Sequence, residues 1–272
     1  MGKIGIFDSG YGGLTILNSI RESLPQYDYV YLGDNARTPY GNRSFEVVYR
    51  YTLECVKKLF ELDCELVIIA CNTASAKALR TIQQVDLPKI APQKRVLGII
   101  RPTIETLSKY TRSNYVGLLA TEGTVQSDSY PIEIQKLYGE EIKLVSEACP
   151  MWVSLIENGQ YNSKGADFFI KQNIKNLRNK EHRIDTIILG CTHYPLIYNK
   201  IRDMLPAKIA ILSQGQIVAD SLTDYLFRHP EIEKECSKNK QLICFTTESK
   251  EKFATSSSVF LDYEVEIEHV EV

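Results

Sequence analysis

The sequence reads VIIACNT at residues 67–73 and, 120 positions later, IILGCTH at residues 187–193. Each stretch is a short apolar run that passes through a cysteine into a turn of small polar residues. A second pair follows the same rule, because IGIFDSG at residues 4–10 is matched by VGLLATEG at residues 116–123. Two strand-to-turn units that recur in the same order indicate an internal duplication.

Between these units, short runs rich in Val, Ile and Tyr alternate with longer helical patterns. We predict strands at residues 3–7, 29–32, 66–70, 97–100, 115–119, 142–145, 186–189 and 208–212. Strands that alternate with helices are typical of a mostly parallel sheet covered on both faces. The pattern therefore predicts an α/β protein with two similar doubly wound domains.

A chain of 272 residues is long enough for two domains of ordinary size. We predict a first domain at residues 1–94 plus 208–272 and a second at residues 95–207. The Pro-rich, basic stretch LPKIAPQKR at residues 87–95 has the composition of a linker between them. The segment after Pro206 has no counterpart within the second half, so we expect it to return to the first domain.

The charge balance and the cysteines indicate which partners and which cellular compartment are compatible with this chain. The 32 basic residues nearly balance the 34 acidic ones without a run of like charge, which disfavours nucleic acid and membrane surfaces as partners. Asp8 interrupts the N-terminal apolar run before a signal peptide could form, and no apolar run approaches the ~20 residues of a membrane helix. The seven cysteines are an odd number without a CxxC pair, which indicates a reducing compartment. We expect a cytoplasmic protein.

The matched cysteines indicate a reaction. Ligands of open α/β sheets bind at the carboxyl ends of the strands, which is where Cys71 and Cys191 are predicted to lie. A single cysteine at such a place is usually a small buried hydrophobe, but packing does not explain one at the same point of both halves. Inverting a carbon requires a base on one face and an acid on the other. Two facing thiols therefore predict a racemase.

A free thiol, with a pKa of ~8.5, is mostly protonated near neutral pH, and a helix N-terminus lowers that pKa by only about one unit. We therefore predict additional support from His193 beside Cys191 and from Asp8 beside Cys71. A carboxylate raises the pKa of a neighbouring thiol, so Asp8 would help only when the ammonium group of a substrate offsets its charge. The alternatives are a helix-capping role for Asp8 and a structural role for His193 in the core.

Hydroxyl and N–H donors suitable for a carboxylate-bearing substrate are concentrated in the same turns. Each of them could instead be an ordinary helix cap, and the Tyr40-Gly41 turn after Pro39 is by itself only a turn signal. The donors are Ser9, the backbone amides of residues 10–13, Asn72, Thr73, Thr121, Thr124 and Thr192.

Taken together, the motifs resemble those of glutamate racemases in order and spacing, over roughly residues 3 to 215. They comprise GIFDSGYGGL (5–14), LGD (32–34), PYG (39–41), ACNTA (70–74), GT (123–124) with Ser127 and Tyr130, ACP (148–150) and LGCTHYP (189–195).

This resemblance implies interconversion of L- and D-glutamate without pyridoxal phosphate, metal or other cofactor, and supply of D-glutamate for peptidoglycan. It implies an active site between the two domains and allows for a homodimer. Cys71 would remove the α-proton of D-glutamate and Cys191 that of L-glutamate, assisted by Asp8 and His193. Asp34 and Glu157 would be auxiliary acids. The substrate-binding residues would be Asp8, Ser9, Pro39, Tyr40, Gly41, Asn72, Thr73, Thr121, Thr124 and Thr192.

Other readings fit less well. A dinucleotide-binding oxidoreductase would need a third glycine after GYGG at residues 10–13, and Asp8 would repel a pyrophosphate. A thiol-redox protein would need a CxxC pair, a non-catalytic binding protein would not need both cysteines, and a zinc site on Cys191 and His193 lacks further ligands. Aspartate or hydantoin racemase activity stays open, because the sequence does not reveal the depth of the pocket.

Overall fold

Two parallel β-sheets form the centre of the molecule, and the computed structural model describes residues 1–272. The first sheet has the strand order β10-β9-β2-β1-β3-β4, and the second has the order β6-β5-β7-β8. The strands are β1 (Lys3–Asp8), β2 (Tyr29–Gly33), β3 (Cys64–Ile69), β4 (Arg95–Gly98), β5 (Tyr115–Ala120), β6 (Lys143–Ala148), β7 (Thr186–Gly190), β8 (Ala210–Leu212), β9 (Leu242–Thr246) and β10 (Glu266–His269).

Helices cover both faces of each sheet. They are α1 (Leu14–Ser23), α2 (Phe45–Glu61), α3 (Asn72–Lys77), α4 (Leu79–Thr81), α5 (Leu87–Ile90), α6 (Ile100–Glu105), α7 (Leu107–Tyr110), α8 (Glu122–Gln126), α9 (Ser129–Tyr138), α10 (Trp152–Glu157), α11 (Lys164–Lys180), α12 (Tyr198–Asp203), α13 (Gln214–Arg228), α14 (Pro230–Glu233) and α15 (Lys250–Ser257). A π-helical turn spans Ile82–Asp86, and a 3₁₀ turn spans Tyr194–Ile197. The predicted α/β class with two similar parallel-sheet domains is confirmed.

The duplication is visible in the strand order. Four strands of the first sheet, β2-β1-β3-β4, have the same order as β6-β5-β7-β8 in the second, and all neighbours are parallel. Alternate residues of β1 pack on opposite faces, with Ile4 and Ile6 in one apolar cluster and Phe7 in another. Each sheet thus separates two apolar cores, which is why the middle residues of its central strands are apolar on both faces.

The predicted domain boundaries need correction, because each falls one strand too early. The strand at 95–98 pairs with β3 in the first sheet, and the strand at 210–212 pairs with β7 in the second. In both cases the chain leaves a sheet, passes through a crossover helix and returns to the same sheet as its next strand. The predicted linker at residues 87–95 is also wrong, since it contains α5 and enters β4. The chain crosses between the sheets at Ile99 and again at Ser213.

The C-terminal segment extends the first sheet, because β9 pairs with β2 and β10 with β9. Neither of these strands was predicted. β10 reads EIEH, and its charges suit an exposed edge strand. Phe260, which lies between α15 and β10, packs against apolar clusters of both domains. None of the helices combines the length and the apolar character that crossing a membrane requires.

Candidate active site

Cys71 and Cys191 lie at corresponding carboxyl ends of β3 and β7, the strands that pair with β1 and β5. Both thiols line one cavity of about 230 Å³ between the domains. This volume is below the roughly 300–1,000 Å³ of sites for drug-sized ligands, so the cavity suits a small molecule.

The surroundings of Cys71 keep it protonated. Its Sγ lies 3.3 Å from the Ser9 hydroxyl and accepts a hydrogen bond of 3.4 Å from the Ala74 N–H. Cys71 is therefore itself the cap of α3, a role that the sequence suggested for Asn72. Burial, and after it the charge of Asp8, outweighs the lowering effect of the contacts with Ser9 and Ala74 and raises the pKa of the Cys71 thiol to about 12. In the free protein near neutral pH, Cys71 is a proton donor.

Cys191 has a different neighbour. Its Sγ lies 3.8 Å from His193 Nδ1, and His193 Nε2 lies 3.0 Å from a carboxylate oxygen of Glu157. Burial lowers the pKa of His193, but the hydrogen bonds to Cys191 and Glu157 outweigh it and raise that pKa to about 10. The imidazole is then an imidazolium near neutral pH, and it supplies positive charge next to the thiol that needs to become a base.

Asp8 ties the two domains together behind the cavity wall. One of its carboxylate oxygens accepts the Gly10 N–H at 2.9 Å, and the other accepts the Thr192 hydroxyl at 3.3 Å. Burial raises the pKa of Asp8, and the nearby His193 charge opposes this increase. The capping alternative is wrong, because Asp8 binds the amide of a turn and α1 begins at Leu14 without a side-chain cap.

Three threonine hydroxyls form a second contact across the domains. Thr73 Oγ1 lies 2.9 Å from Thr121 Oγ1 and 3.3 Å from Thr124 Oγ1, and these last two are 3.0 Å apart. Thr121 also caps α8, as its position in the sequence allowed. Thr73 and Thr121 line the cavity, and Thr124 lies directly behind them.

The loop at residues 38–43 closes one side of the cavity and contributes Pro39, Tyr40 and Gly41 to its lining. The Tyr40 hydroxyl donates to Asp34, whose carboxylate also binds Arg37 at 2.7 Å and Thr247 at 2.9 Å. The structure therefore places Asp34, a predicted auxiliary acid, as an anchor for this loop.

The structure adds lining residues that were not selected from the sequence. No lysine or arginine is among the lining residues, so an anionic ligand would be bound by hydroxyl, amide and backbone groups. The ACP motif in the sequence indicated only Cys149 and Pro150 among the added positions. The added lining residues are Thr38, Asn42, Glu122, Cys149, Pro150, Val153 and Ser154.

Comparison with known proteins places this site in context. The family model described as Asp/Glu/Hydantoin racemase matches residues 14–222. A glutamate racemase of Geobacter metallireducens is 40% identical over 224 residues, which cover 82% of this chain and 79% of the relative.

Solved structures agree with this match over nearly the whole chain. The glutamate racemase isoform RacE1 of Bacillus anthracis is 33% identical with a TM-score of 0.90, covering 100% of this chain and 98% of that one. The Francisella tularensis glutamate racemase solved in complex with D-glutamate is 31% identical with a TM-score of 0.87, covering 99% and 97%.

Proposed function

Because the chain belongs to the Asp/Glu/Hydantoin racemase family and is an amino-acid racemase, we propose that it interconverts L- and D-glutamate with Cys71 and Cys191 as opposed acid and base. One observation carries the proposal. Two thiols from corresponding turns of the two domains line the same small cavity.

The reaction consists of two proton transfers. Cys191 as thiolate removes the α-proton of L-glutamate, and the electron pair of the C–H bond remains on the substrate as a carbanion. The Cys71 thiol then delivers its proton to the opposite face, which leaves D-glutamate and a Cys71 thiolate. In the reverse direction the two roles are exchanged. The transfers as written move only protons, so the proposal calls on no cofactor.

The two cysteines are supported unequally. His193, held by Glu157, supplies positive charge beside Cys191 before substrate arrives. Cys71 has the opposite setting, because burial and Asp8 raise its pKa to about 12. For Cys71 to act as a base on D-glutamate, the substrate ammonium would have to offset the charge of Asp8.

Substrate recognition rests on donors that surround the cavity. The side chains of Ser9, Asn72 and Thr73 would donate to the two carboxylates. Thr121 and Thr192 would do so through their backbone N–H groups, because their hydroxyls already donate to Thr124 and Asp8. The backbone of residues 39–41 would bind from the opposite side, with Thr124 supporting the other threonines. Multiple hydrogen bonds to charged acceptors stabilise more strongly than neutral ones. The relative solved with D-glutamate supports this choice of substrate.

In the cell, we place this activity in the cytoplasm, as a source of D-glutamate for peptidoglycan. The seven free cysteines support the reducing compartment, and the similarity to glutamate racemases supports D-glutamate as the product.

The test is incubation with L- or D-glutamate in deuterated water. We expect optical rotation to fall to zero from either enantiomer, with one deuterium entering at the α-carbon. Cys71→Ala and Cys191→Ala should each lose racemisation, whereas Cys244→Ala, at a buried thiol outside the cavity, should keep it. Lack of exchange with both glutamate enantiomers would exclude the proposed substrate. Exchange at the α-carbon of aspartate instead would assign the protein an aspartate racemase activity within the same family.

A further inference from the structure

Gln214 begins α13 at the point where the chain leaves the second domain. It follows β8 of the second sheet by two residues, and the later part of α13 packs into the apolar core of the first domain through Val218, Ala219 and Leu222. Gln214 is only 3% exposed. It therefore lies at one of the two places where the chain crosses between domains.

The side chain of Gln214 also reaches the other crossing. Its Nε2 lies 2.9 Å from Thr103 Oγ1 in α6 and 3.3 Å from the Ile99 carbonyl oxygen. Ile99 is the residue at which the chain leaves β4 of the first sheet for α6. One amide group thus joins both crossings by hydrogen bonds, in a buried place where such bonds are strong and costly to lose.

The same amide holds a residue of the cavity. Asn72 Nδ2 donates to Gln214 Oε1 at 2.7 Å, and the Tyr130 hydroxyl donates to Asn72 Oδ1 at 2.7 Å. Gln214 Nε2 lies 3.1 Å from the Tyr130 hydroxyl oxygen, which closes a ring of three hydrogen bonds. The ring by itself could close in either sense, but the Ile99 carbonyl oxygen can only accept, which places Gln214 Nε2 beside it and Gln214 Oε1 toward Asn72. This contact and the ring together fix which way the Asn72 amide points.

Asn72 keeps one donor for a ligand. Its Nδ2 carries two hydrogens, only one of which has a protein acceptor, and Asn72 lines the cavity beside Cys71. A ligand carboxylate that accepts the second hydrogen would gain an amide already oriented by its neighbours. Preorganised donors cost less to use than mobile ones.

We propose that Gln214 is a positioning residue that orients the Asn72 amide toward the substrate carboxylate and links this orientation to the relative placement of the two domains. The proposal rests on glutamate as substrate. Gln214 does not line the cavity, so it would act through Asn72 and not by direct contact.

The experiment compares Gln214→Met with Gln216→Met. Methionine keeps the length of the side chain and removes every hydrogen bond. Gln216 is an exposed residue of the same helix that bonds only Ser23 and Asp220, so its variant is a matched control. We expect Gln214→Met to raise KM for glutamate about tenfold, with kcat changed by less than about threefold, as for loss of one hydrogen bond to a charged group. The control should match the wild type.

A double substitution tests whether the effect passes through Asn72. If it does, Gln214→Met should raise KM no further in an Asn72→Ala background. Additive increases in ln KM, or an unchanged KM in the single variant, would overturn the proposal. Tyr130→Phe removes one hydroxyl of the ring with little change of shape. Tyr130→Phe should also raise KM, and it replaces Gln214→Met in the experiment if that variant does not fold.

A second readout does not depend on the substrate. The NMR signals of the Asn72 side-chain amide, identified by their loss in Asn72→Ala, should shift in Gln214→Met and Tyr130→Phe but not in Gln216→Met. Unmoved signals would reject the role of Gln214 even in an active enzyme. A wild-type protein that exchanges no α-hydrogen of glutamate would instead reject the proposed function, while the NMR result still decides whether Gln214 orients Asn72.

Discussion

His193 lies between a thiol and a carboxylate, and this position decides its charge. The carboxylate of Glu157 and the sulfur of Cys191 contact opposite ring nitrogens. Together they outweigh burial and raise the pKa of His193 to about 10. A histidine with a usual pKa near 6.5 would be mostly neutral where this one is charged. At the scale of single residues, the two thiols therefore differ in their partners and not in their burial.

Glu157→Gln should lower the pKa of His193 toward its usual value, because the amide no longer stabilises the imidazolium. In the wild type, the positive charge of His193 is fully present at low pH and is lost as the pH rises through about 10. We therefore expect the alkaline limb of kcat/KM to move to lower pH by roughly one unit or more in the variant. Steady-state rates from pH 6 to 11 measure this. Asp167→Asn, which removes a partner of Lys200 instead, should leave the limb in place.

Asp8→Asn and His193→Gln should act on opposite proton transfers. Because the two enantiomers of glutamate have equal free energy, kcat/KM must fall equally in both directions for either variant. The primary deuterium isotope effect, in contrast, can differ between the two directions. If Asp8 serves the Cys71 step, Asp8→Asn should raise the effect measured with α-deuterated D-glutamate and lower that with the L-enantiomer. His193→Gln should do the reverse. Parallel changes in both variants would contradict unequal support.

At the scale of elements, the loop at residues 38–43 belongs to the first domain and is held by both domains. The Gly123 N–H at the start of α8 donates to the Gly41 carbonyl oxygen at 2.7 Å. Lys77, at the end of α3, donates to the Arg43 carbonyl oxygen at 2.7 Å. The close approach leaves no space for a side chain at Gly123. This loop, α3 and α8 thus form one wall of the cavity.

Gly123→Ala should damage that wall. Its Cβ would lie 2.8 Å from the Gly41 carbonyl oxygen and 2.9 Å from Lys77 Nζ, so the loop would have to move. We expect a loss of about 1–3 kcal/mol in the free energy of unfolding and a higher KM. Gly165→Ala is the matched control near the start of α11, where the nearest atom is Ser163 Oγ at 3.6 Å. It should be neutral or stabilising by up to about 1 kcal/mol. Equal results for both, in thermal unfolding and kinetics, would contradict the role of this contact.

At the scale of the whole molecule, the cavity exists only because two domains meet. Hydrogen bonds cross the interface between Asp8 and Thr192, between Thr73 and Thr121 and between Gly41 and Gly123. Phe260 adds an apolar contact with both cores, and its ring meets that of His193 edge to face at 5.8 Å. A ligand in the cavity would therefore be bound by both domains at once.

Binding of D-glutamate should stabilise both domains in a single transition. A ligand present at 100 times its Kd adds about 2.7 kcal/mol, which corresponds to roughly 5–10 °C in Tm for a chain of this size. Differential scanning calorimetry measures this shift. D-Aspartate at the same concentration should give a smaller shift if the cavity is built for glutamate. Two transitions, of which only one moves, would show that the ligand contacts one domain alone.

Local patterns were sufficient for much of this protein. The α/β class, eight strands, the duplication and the two matched cysteines follow from the periodicity of apolar residues and from turns that recur in the sequence. The helix cap at Thr121 also depends only on neighbours in the chain. Such features are decided within a few residues, because a strand or a cap needs little more than its own backbone and side chains.

Contacts between distant residues decided the rest. The edge strands β4 and β8 joined the preceding sheets, the charged strand β10 found a partner, and Asp34 anchors a loop instead of facing the cavity. Nothing in the sequence indicated a role for Gln214, because its four hydrogen-bond partners are 84 to 142 positions away. Hydrogen bonds among buried groups depend on which side chains the fold brings within about 3 Å, and the spacing of residues along a chain does not contain that distance.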